Sequence, residues 1–439
     1  MKKIICVALL LGICLPLWSM DGKDGIVKKG WSLGALPAIA FNSDLGFEYG
    51  LIVNLFNYGD GSSYPNYEHS LYFEVSRFTK GTGIFRAYYD SEYLLPGLHL
   101  TADLSYLPDA AYDFYGFNGY ESVYEPLYEN DSDPLYRTRM FYKLQRNLFR
   151  AKADIQGGIA GDHFRWIAGL TVRDFDISSV DIEKLNKGLD DDEKLPGLNE
   201  QPGLYERYVN WGLIPDSEKE GGTITALKAG LVFDTRNTVQ NPSTGVWTEA
   251  VIVSAPSFLN KESFTKLSFT HRQYLPLIAD RLTFAYRAGY QQTLSGHTPF
   301  YMQPLMFTST YTGAWNEGLG GQRSIRGINR NRIIGDGFVY ANFELRWIAW
   351  RFNMANQNFY VGFNAFFDTG RITDPIETGT LPAEAEPYFN TGNESFHNAA
   401  GIGLKLAMNW NFVLSVEYGQ AFDEQDGTSS LYIALNYLF

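Results

Sequence analysis

The stretch RLTFAYRAGYQ, residues 281–291, alternates with a period of two. Leu282, Phe284, Tyr286, Ala288 and Tyr290 fall on one face, and Arg281, Thr283, Arg287 and Gln291 on the other. A helix would return its apolar residues every third or fourth position, so this is the period of a strand. VYANFELRW (339–347) repeats the pattern, with Val339, Ala341, Phe343, Leu345 and Trp347 set against Tyr340, Asn342, Glu344 and Arg346. So does the segment from Phe359, where Val361, Phe363, Ala365 and Phe367 oppose Tyr360, Asn364 and Asp368. A soluble sandwich also alternates, so strand length and face chemistry decide. These segments reach about ten residues or more, the length of a tilted membrane-spanning strand. One face is aliphatic and aromatic, and the other carries Arg, Glu and Asp. Such charges would sit outside a sandwich but inside a membrane barrel. An open sheet in lipid would leave unpaired edges, so the barrel must close.

Counting back from Phe439 predicts strands at 429–439, 409–421, 396–408, 357–369, 334–349, 280–294, 263–275, 245–256, 222–236, 163–177 and 148–160. Earlier candidates are 134–146, 96–107, 82–94, 67–80 and 45–57. The expected fold is therefore all-β, a sixteen-stranded antiparallel transmembrane barrel. An even strand number puts both ends on the periplasmic side. Residues 30–40 could form a further strand, and Glu249 fits neither face of 245–256 cleanly. Residues 178–221, 295–333 and 370–395 read as long external loops. Residues 108–133, acidic and without Lys or Arg, fall on the periplasmic side by the strand count, although their length argues for the other. A solvated surface is the plain reading of the acidic runs, with oxygen ligation of divalent cations the sharper alternative. No metal site or cofactor is assigned.

Composition agrees. Aromatics reach 16% of the 439 residues and charged residues only 19%, which excludes a disordered chain. Past the N-terminus no apolar run approaches the roughly 18–20 residues of a spanning helix. The net charge of −13 argues against nucleic acid as a partner, since phosphate contacts need a basic face. The first twenty residues, MKKIICVALLLGICLPLWSM, combine Lys2 and Lys3 with a short apolar core, and predict a cleaved signal peptide at 1–20. An N-terminal anchor is the alternative. A short periplasmic segment at 21–44 and a barrel at 45–439 would follow. Both cysteines, Cys6 and Cys14, lie in the leader. A mature chain would then have no disulfide, thiolate metal site or Cys nucleophile. Export without cysteine suits a Gram-negative envelope and a place in the outer membrane, among its lipids.

One loop stands apart. LGGQRSIRG (319–327) sets Arg323 and Arg326 among Gly320, Gly321 and Gly327, glycines that permit sharp turns. A buried guanidinium needs partners, and it can grip a carboxylate with two bonds at once. Glu344 and Asp368 lie on the bore-facing sides of the following strands. A loop folding back into the bore could clip Arg326 to Asp368, with Glu344 as a second acceptor. Asp234 and Arg236 share a strand face at i, i+2 and predict a bore-facing ion pair near the periplasmic rim, with a gating role as the alternative.

These segments resemble a known family. GGQRSIRG (320–327), GDGFVYANFELRW (335–347), GFNAFFDTG (362–370) and the terminal Phe439 look like the bacterial surface antigen barrel, the superfamily of BamA, TamA and the two-partner secretion transporters. GLVFDTRNTVQNPSTG (230–245) is similar to its D-x-R…P…G strand-turn through Asp234, Arg236, Pro242 and Gly245. The family's (V/I)-R-G-(F/Y) tip falls on Ile325, Arg326 and Gly327, and Ile328 departs from its aromatic. The F-x-D-x-G motif falls on Phe366, Asp368 and Gly370. The resemblance implies a barrel whose sixth external loop plugs the bore. It also implies a final strand, ending in Tyr437 and Phe439, that the barrel-assembly machinery reads during biogenesis. Family insertases carry POTRA domains before the barrel. The stretch 21–44 is too short for one, so the expectation is the barrel-only branch.

The resemblance implies a role assisting protein insertion or translocation at the outer membrane. The alternative is a passive channel or structural barrel without insertase activity. Pairing with itself or with a periplasmic partner stays open. Enzymatic activity is not expected: there is no G-x-S-x-G elbow and no HExxH. The six histidines, His69, His99, His163, His271, His297 and His397, are scattered and read as satisfied surface or bore residues.

Overall fold

The structure, a computed structural model, describes residues 28–62, 67–161, 163–238, 241–309, 313–314, 317–354, 357–408 and 412–439. The expected leader lies outside the described residues. Among these residues sixteen strands form. They are β1 Trp31–Asn42, β2 Gly46–Asn57, β3 His69–Phe78, β4 Gly83–Leu95, β5 Leu98–Asp113, β6 Lys143–Ala160, β7 Phe164–Ser178 and β8 Gly221–Asp234. There follow β9 Gly245–Ala255, β10 Phe264–Ile278, β11 Leu282–Gly296, β12 Gly337–Met354, β13 Gln357–Asp374, β14 His397–Met408, β15 Phe412–Ala421 and β16 Ser429–Leu435. Each strand pairs antiparallel with the next, and β1 meets β16 to close the barrel.

The alternation sorts its faces as the sequence predicts. Asp103, Arg150, Lys152, Asp154, Lys228, Glu249, Lys266, Arg287, Glu344, Arg346, Asp368, Lys405 and Glu417 all point inward and are buried. Leu104, Leu170, Leu231, Ile252, Phe343, Trp347 and Phe363 point outward, and each is more than a third exposed. Charge inside and continuous apolar surface outside inverts a soluble sandwich and matches a barrel whose outer wall meets hydrocarbon. Glu249, ambiguous in the sequence, faces the bore, where its carboxylate accepts the backbone N–H of Ser309 at 2.7 Å.

Three expectations change. No strand forms at 134–142. Phe141 and Tyr142 are both fully buried in an aromatic cluster beneath the loops. Two consecutive buried rings are incompatible with alternation, and a single strand, β6, begins at Lys143. The missing member of the sixteen is β1, so the barrel starts at Trp31, inside the stretch expected to be a periplasmic segment at 21–44. The register of the whole wall therefore moves by one strand before β6. The segment joining β5 to β6 consequently lies on the same rim as the other long loops, as its length had argued and the strand count had not.

The third change concerns the last strand. Leu431, Ile433 and Leu435 keep the outward alternation, but Tyr437 and Phe439 do not continue it. Asn436 adopts φ 69°, a left-handed conformation that asparagine tolerates better than most residues. The chain turns there into the bore, and Tyr437 and Phe439 are buried. Tyr437 packs with Tyr360, Ala407 and Val413, while Phe439 reaches Tyr274 and Ala285 on β10 and β11.

Loops cap one rim. Phe114, Phe117, Phe141, Tyr142, Tyr205, Tyr208, Phe300 and Tyr301 bury their rings together there. The opposite rim has mostly short turns. Among the described residues no helix is long and apolar enough to cross a membrane.

Candidate functional site

The segment joining β11 to β12, residues 297–336, starts at the loop rim, and most of its described residues fold back into the barrel. It runs around the inner wall and is bonded to strand after strand. Gln291 donates to the carbonyl of Leu305 at 2.8 Å, Ser268 to that of Phe307 at 2.6 Å and Lys228 to that of Ser309 at 3.0 Å. Arg150 donates to the carbonyl of Ala314 at 2.7 Å, and Arg146 pairs with Glu317 at 2.7 Å. Beside Arg146, Arg150 and Arg173 the space left between loop and wall is about 10 Å³, at or below what one water needs.

The loop's tip is GGQRSIRG, and glycine is required at its two bends. Gly320 has φ 107°, and a Cβ there would lie 2.2 Å from the carbonyl oxygen of Asn329. Gly327 has φ 97°, and its Cβ would lie 2.7 Å from the backbone nitrogen of Gln420 on β15. Between them Ser324 holds the turn. Its hydroxyl donates to the carbonyl of Gly318 at 2.9 Å and accepts from the N–H of Gly320 at 2.9 Å. The wall holds the tip's backbone through Asn342, which donates to the carbonyl of Ser324 at 2.6 Å, and Arg287, which donates to that of Arg323 at 3.2 Å.

Arg326 then projects into the wall of β12–β15. Its Nε and Nη2 donate to the two oxygens of Asp368 at 2.8 and 3.0 Å, and its backbone N–H donates to Asp368 at 3.0 Å. Nη1 donates to Glu344 at 2.5 Å and to Glu417 at 2.9 Å. The guanidinium lies 3.6 Å from the centre of the Phe366 ring, close enough for a cation–π contact. Two further cations complete the set: Arg346 donates to Glu344 at 2.7 Å and Lys405 to Glu417 at 2.8 Å. Three cations meet three carboxylates, so the network is neutral and each charge has a partner, the condition under which buried charge is tolerated.

The F-x-D-x-G run of β13 now has a physical reading. Phe366 lies under the guanidinium, Asp368 grips it, and Gly370 clears the way for Ile325. A Cβ on Gly370 would fall 2.6 Å from the Ile325 side chain. Ile325 and Ile328 are fully buried with Leu319, Ile333, Phe338, Tyr340 and Ile372. The departure from an aromatic at Ile328 is therefore filled by aliphatic packing.

The structure thus brings Arg326, Glu344 and Asp368 together. Arg323 is not part of that cluster. It is exposed within the bore, and Glu48 and Glu74 on β2 and β3 are the carboxylates whose charge it feels. Asp234 and Arg236 pair at the short-turn rim, with Nε to Oδ1 at 2.9 Å and Nη2 to Oδ2 at 2.8 Å. Tyr437 and Phe439 lie inside the bore, where the Arg346 guanidinium sits 4.3 and 4.8 Å from their rings. Sequence reading missed Glu417, on the inward face of β15, and Arg330, which pairs with Asp109 at 2.9 Å and with Glu317 at 2.5 Å. It also missed Arg332, which donates to the carbonyls of Gln425, Gly119 and Ser122 at 2.6, 2.8 and 2.9 Å. Parity along each strand could have found Glu417. Nothing local marks the other two.

The tip also touches the barrel's closure. β1 and β16 pair at Phe41–Ile433 and Asn42–Tyr432 alone, whereas β1 and β2 pair along all of β1. The side chains of that last pair both bond the loop. Asn42 donates to Gln322 at 3.2 Å, and the N–H of Gly327 donates to the Tyr432 hydroxyl at 3.2 Å. Next to the seam, burial and the neighbouring Asp113 raise the Asp44 carboxyl to about 7, and its Oδ2 has no hydrogen-bond partner among the described residues. At the loop rim, His297 bonds Glu218 at 2.5 Å, which raises the imidazole above its ordinary value. His397 is enclosed by Asp426 at 2.6 Å, Glu394 at 3.3 Å and the stacked ring of Tyr120. Among the described residues no group of three or more His, Cys, Asp and Glu is arranged to hold a metal ion.

The fold is similar to that of BamA from Haemophilus ducreyi lacking POTRA domains 1–3, with a TM-score of 0.54 and 15% identity over 93% of this chain and 71% of that one. It is also similar to CdiB from Escherichia coli, with a TM-score of 0.53 and 12% identity over 97% of this chain and 64% of that one. At these identities the likeness is one of fold. No curated protein matches the sequence. The Omp85 superfamily domain, however, matches residues 165–436, a span that holds the loop tip, its acceptors on β12, β13 and β15, and the Asp234–Arg236 turn. The chain belongs to the Omp85 superfamily.

Proposed function

We propose that this barrel assists the insertion or translocation of other polypeptides at the outer membrane of a Gram-negative cell, which it reaches by an exported precursor. The observation that carries this reading is the seam. A closed barrel satisfies every strand edge, yet here the closing pair of strands is joined at two residue pairs. Among the described residues, the edge of β1 from Trp31 to Ala40 has no ladder partner on that side. An unpaired edge facing hydrocarbon is costly, and an extended segment of another chain is what relieves it. The loop clamp fits the same reading, because a plugged bore directs a polypeptide to the seam and away from the lumen.

The test is to strip donors from that edge. Ser43 N faces β16, and β1 residues of the same parity present their N–H groups to the same side, so Leu33→Pro with Ala35→Pro removes two donors from the open edge and leaves the pairing with β2 in place. The variant barrel, reconstituted in liposomes, should lose the wild type's acceleration of the folding of a urea-denatured outer-membrane barrel. A folded variant as fast as the wild type would overturn the proposal. A passive channel is the second reading, and the loop weighs against it, since its bonds to β6, β8, β10 and β11 hold it within the bore. Steady planar-bilayer conductance by the wild-type barrel would favour it. On the assembly reading the partners are membrane lipids, the assembly machinery that inserts this barrel, and the client chain. A second copy or a periplasmic partner is compatible with the same reading.

A further inference from the structure

Along the middle of β10 the outward residues are Leu267, Phe269, His271, Gln273 and Leu275, since Ser268, Thr270 and Tyr274 between them are buried in the bore. His271 and Gln273 interrupt an apolar face. His271 is the middle residue of the fifteen in β10. The ladder places it at the same height by another route. Its row of directly opposed residues runs from Phe164 at the short-turn end of β7, through Thr248 and Ala288, to Asn398 at the loop end of β14. That row climbs from one rim to the other, and β10 lies about midway along it. An imidazole and a carboxamide therefore stand on the outer wall near the middle of the hydrocarbon, the most costly depth for a polar group.

Both belong to one run of hydrogen bonds across three strands. The Thr248 hydroxyl on β9 bonds His271 Nδ1 at 2.8 Å, His271 Nε2 lies 3.3 Å from the Tyr286 hydroxyl on β11, and Tyr286 donates to Gln273 Oε1 at 2.6 Å. Tyr286 uses its one proton on Gln273, so it accepts from Nε2–H, and Nδ1 accepts from Thr248. Each link is matched except the last. The amide nitrogen of Gln273 has no partner among the described residues. Lipid tails offer no acceptor at that depth, so its two N–H groups are costly to leave unpaired. The neighbouring wall is low: Ala288 directly opposes His271, and Ala341 opposes Ala288. Small side chains let another protein surface approach closely.

We propose that this patch on β9–β11 is the contact between two copies of the barrel within the membrane, paired through Gln273. A closed pair of copies inserted in the same direction is related by a two-fold axis along the membrane normal, and such an axis keeps every atom at its depth. Gln273 beside the axis meets Gln273 of the second copy at equal height. Two carboxamides so placed exchange two N–H···O bonds, which completes the hydrogen-bond run of each copy. An unrelated partner has no reason to carry a polar group at that depth. The patch lies several strands away from the closing pair β1 and β16, so pairing leaves the seam uncovered. Only the wall's place in hydrocarbon is needed here, not the assembly reading.

The test is Gln273→Leu, which extends the apolar face already formed by Leu275 and so should leave folding intact. Barrels labelled with donor or acceptor dyes through Ser257→Cys, an exposed position on the β9–β10 turn, are mixed in liposomes. Energy transfer should report pairing of the otherwise wild-type barrel, and Gln273→Leu should weaken the pairing by about tenfold. Leu51→Ala, at an exposed outward position of β2, should pair as the wild type does. Wild-type transfer no greater than chance encounter at that lipid dilution, or equal transfer with Gln273→Leu, would overturn the proposal. A photo-reactive side chain placed at 273 then identifies the occupant in native membranes. A crosslinked product of twice the barrel's mass supports a second copy, and a product with a different protein in its place overturns it.

Discussion

Replacing Arg326 with alanine should undock the loop. The side chain makes four bonds to three carboxylates, at 2.8 and 3.0 Å to Asp368, 2.5 Å to Glu344 and 2.9 Å to Glu417. The three acceptors do not lose equally. Glu344 keeps Arg346 at 2.7 Å, and Glu417 keeps Lys405 at 2.8 Å and Asn364 at 2.9 Å. Asp368, fully buried, keeps only the backbone N–H of residue 326 among the bonds described. The cost is therefore dominated by one orphaned buried carboxylate, and breaking such a pair costs about 3–5 kcal/mol. That is a shift of about a hundredfold to a few thousandfold in the docked-to-undocked ratio. The assay is limited trypsin digestion of the folded barrel, read at Arg323, Arg330 and Arg332, together with the urea midpoint. The mechanism makes a sharper statement than simple loss. Arg326→Ala combined with Asp368→Asn removes the orphan, so it should recover about 2 kcal/mol relative to the single variant. A double variant no better than Arg326→Ala, or a single variant with an unshifted midpoint and a trypsin-resistant loop, would refute the argument from the orphaned charge.

Three other outcomes follow from the same geometry. Gly327→Ala should undock the tip about as severely as Arg326→Ala, by about 2–4 kcal/mol, because its Cβ would meet β15 backbone at 2.7 Å with φ at 97°. The trypsin pattern reads it. Asp44 supplies a pH dependence. Its folded pKa of about 7 lies above the ordinary 3.8, so its contribution is fully present below 3.8 and is lost as pH rises to about 7. Asp44→Asn should accordingly add about 2 kcal/mol to the stability read by urea unfolding at pH 8, the full shift being discounted for a half-buried carboxyl, and leave it unchanged at pH 3.5. Arg332→Met should free the segments that its three carbonyl contacts tie together, at about 3 kcal/mol. Proteolysis within residues 119–142 should then appear without loss of the barrel.

The wall was legible because alternation is a local signal. Ten residues suffice to read it, and the inward charges of β11, β12 and β13 fall where parity puts them. The same locality explains what failed. At 134–142 the run Met140-Phe141-Tyr142 looks like part of a strand, but its rings are buried under loops from distant parts of the chain, which no short window contains. β1 was nearly hidden because Gly34, Ala35, Pro37 and Ala38 give it few large residues to alternate. The Arg326–Asp368 contact could be anticipated since both ends carry a motif and unlike charge. Arg330 and Arg332 could not, because their partners at Asp109, Gly119 and Ser122 lie about two hundred residues earlier in the chain. Tyr437 and Phe439 continue a perfect alternation in the sequence. A single left-handed residue, Asn436, overrides it.

The loop and the seam form one thermodynamic unit, and the strengths of the contacts say which part yields. Asn42 and Tyr432 are partners in the seam and both bond the loop tip. Separating them must break at least one of those bonds. On the side of β16 the tip is held by the neutral network of three cations and three carboxylates, by Gly327 against Gly419 and Gln420, and by Asn329 N donating to the carbonyl of Asp426 at 2.8 Å. To β1 itself the described contact is one neutral side-chain bond at 3.2 Å, from Asn42 to Gln322. A neutral bond contributes about 1 kcal/mol where the buried ionic clamp withstands several. On the assembly reading, β1 is therefore the strand that would move, and the loop would stay with the rest of the wall, to which Arg146–Glu317 and Arg330–Asp109 also tie it. The edge so exposed continues the one that, among the described residues, is unpaired below Phe41, so opening lengthens an existing surface and does not have to create one.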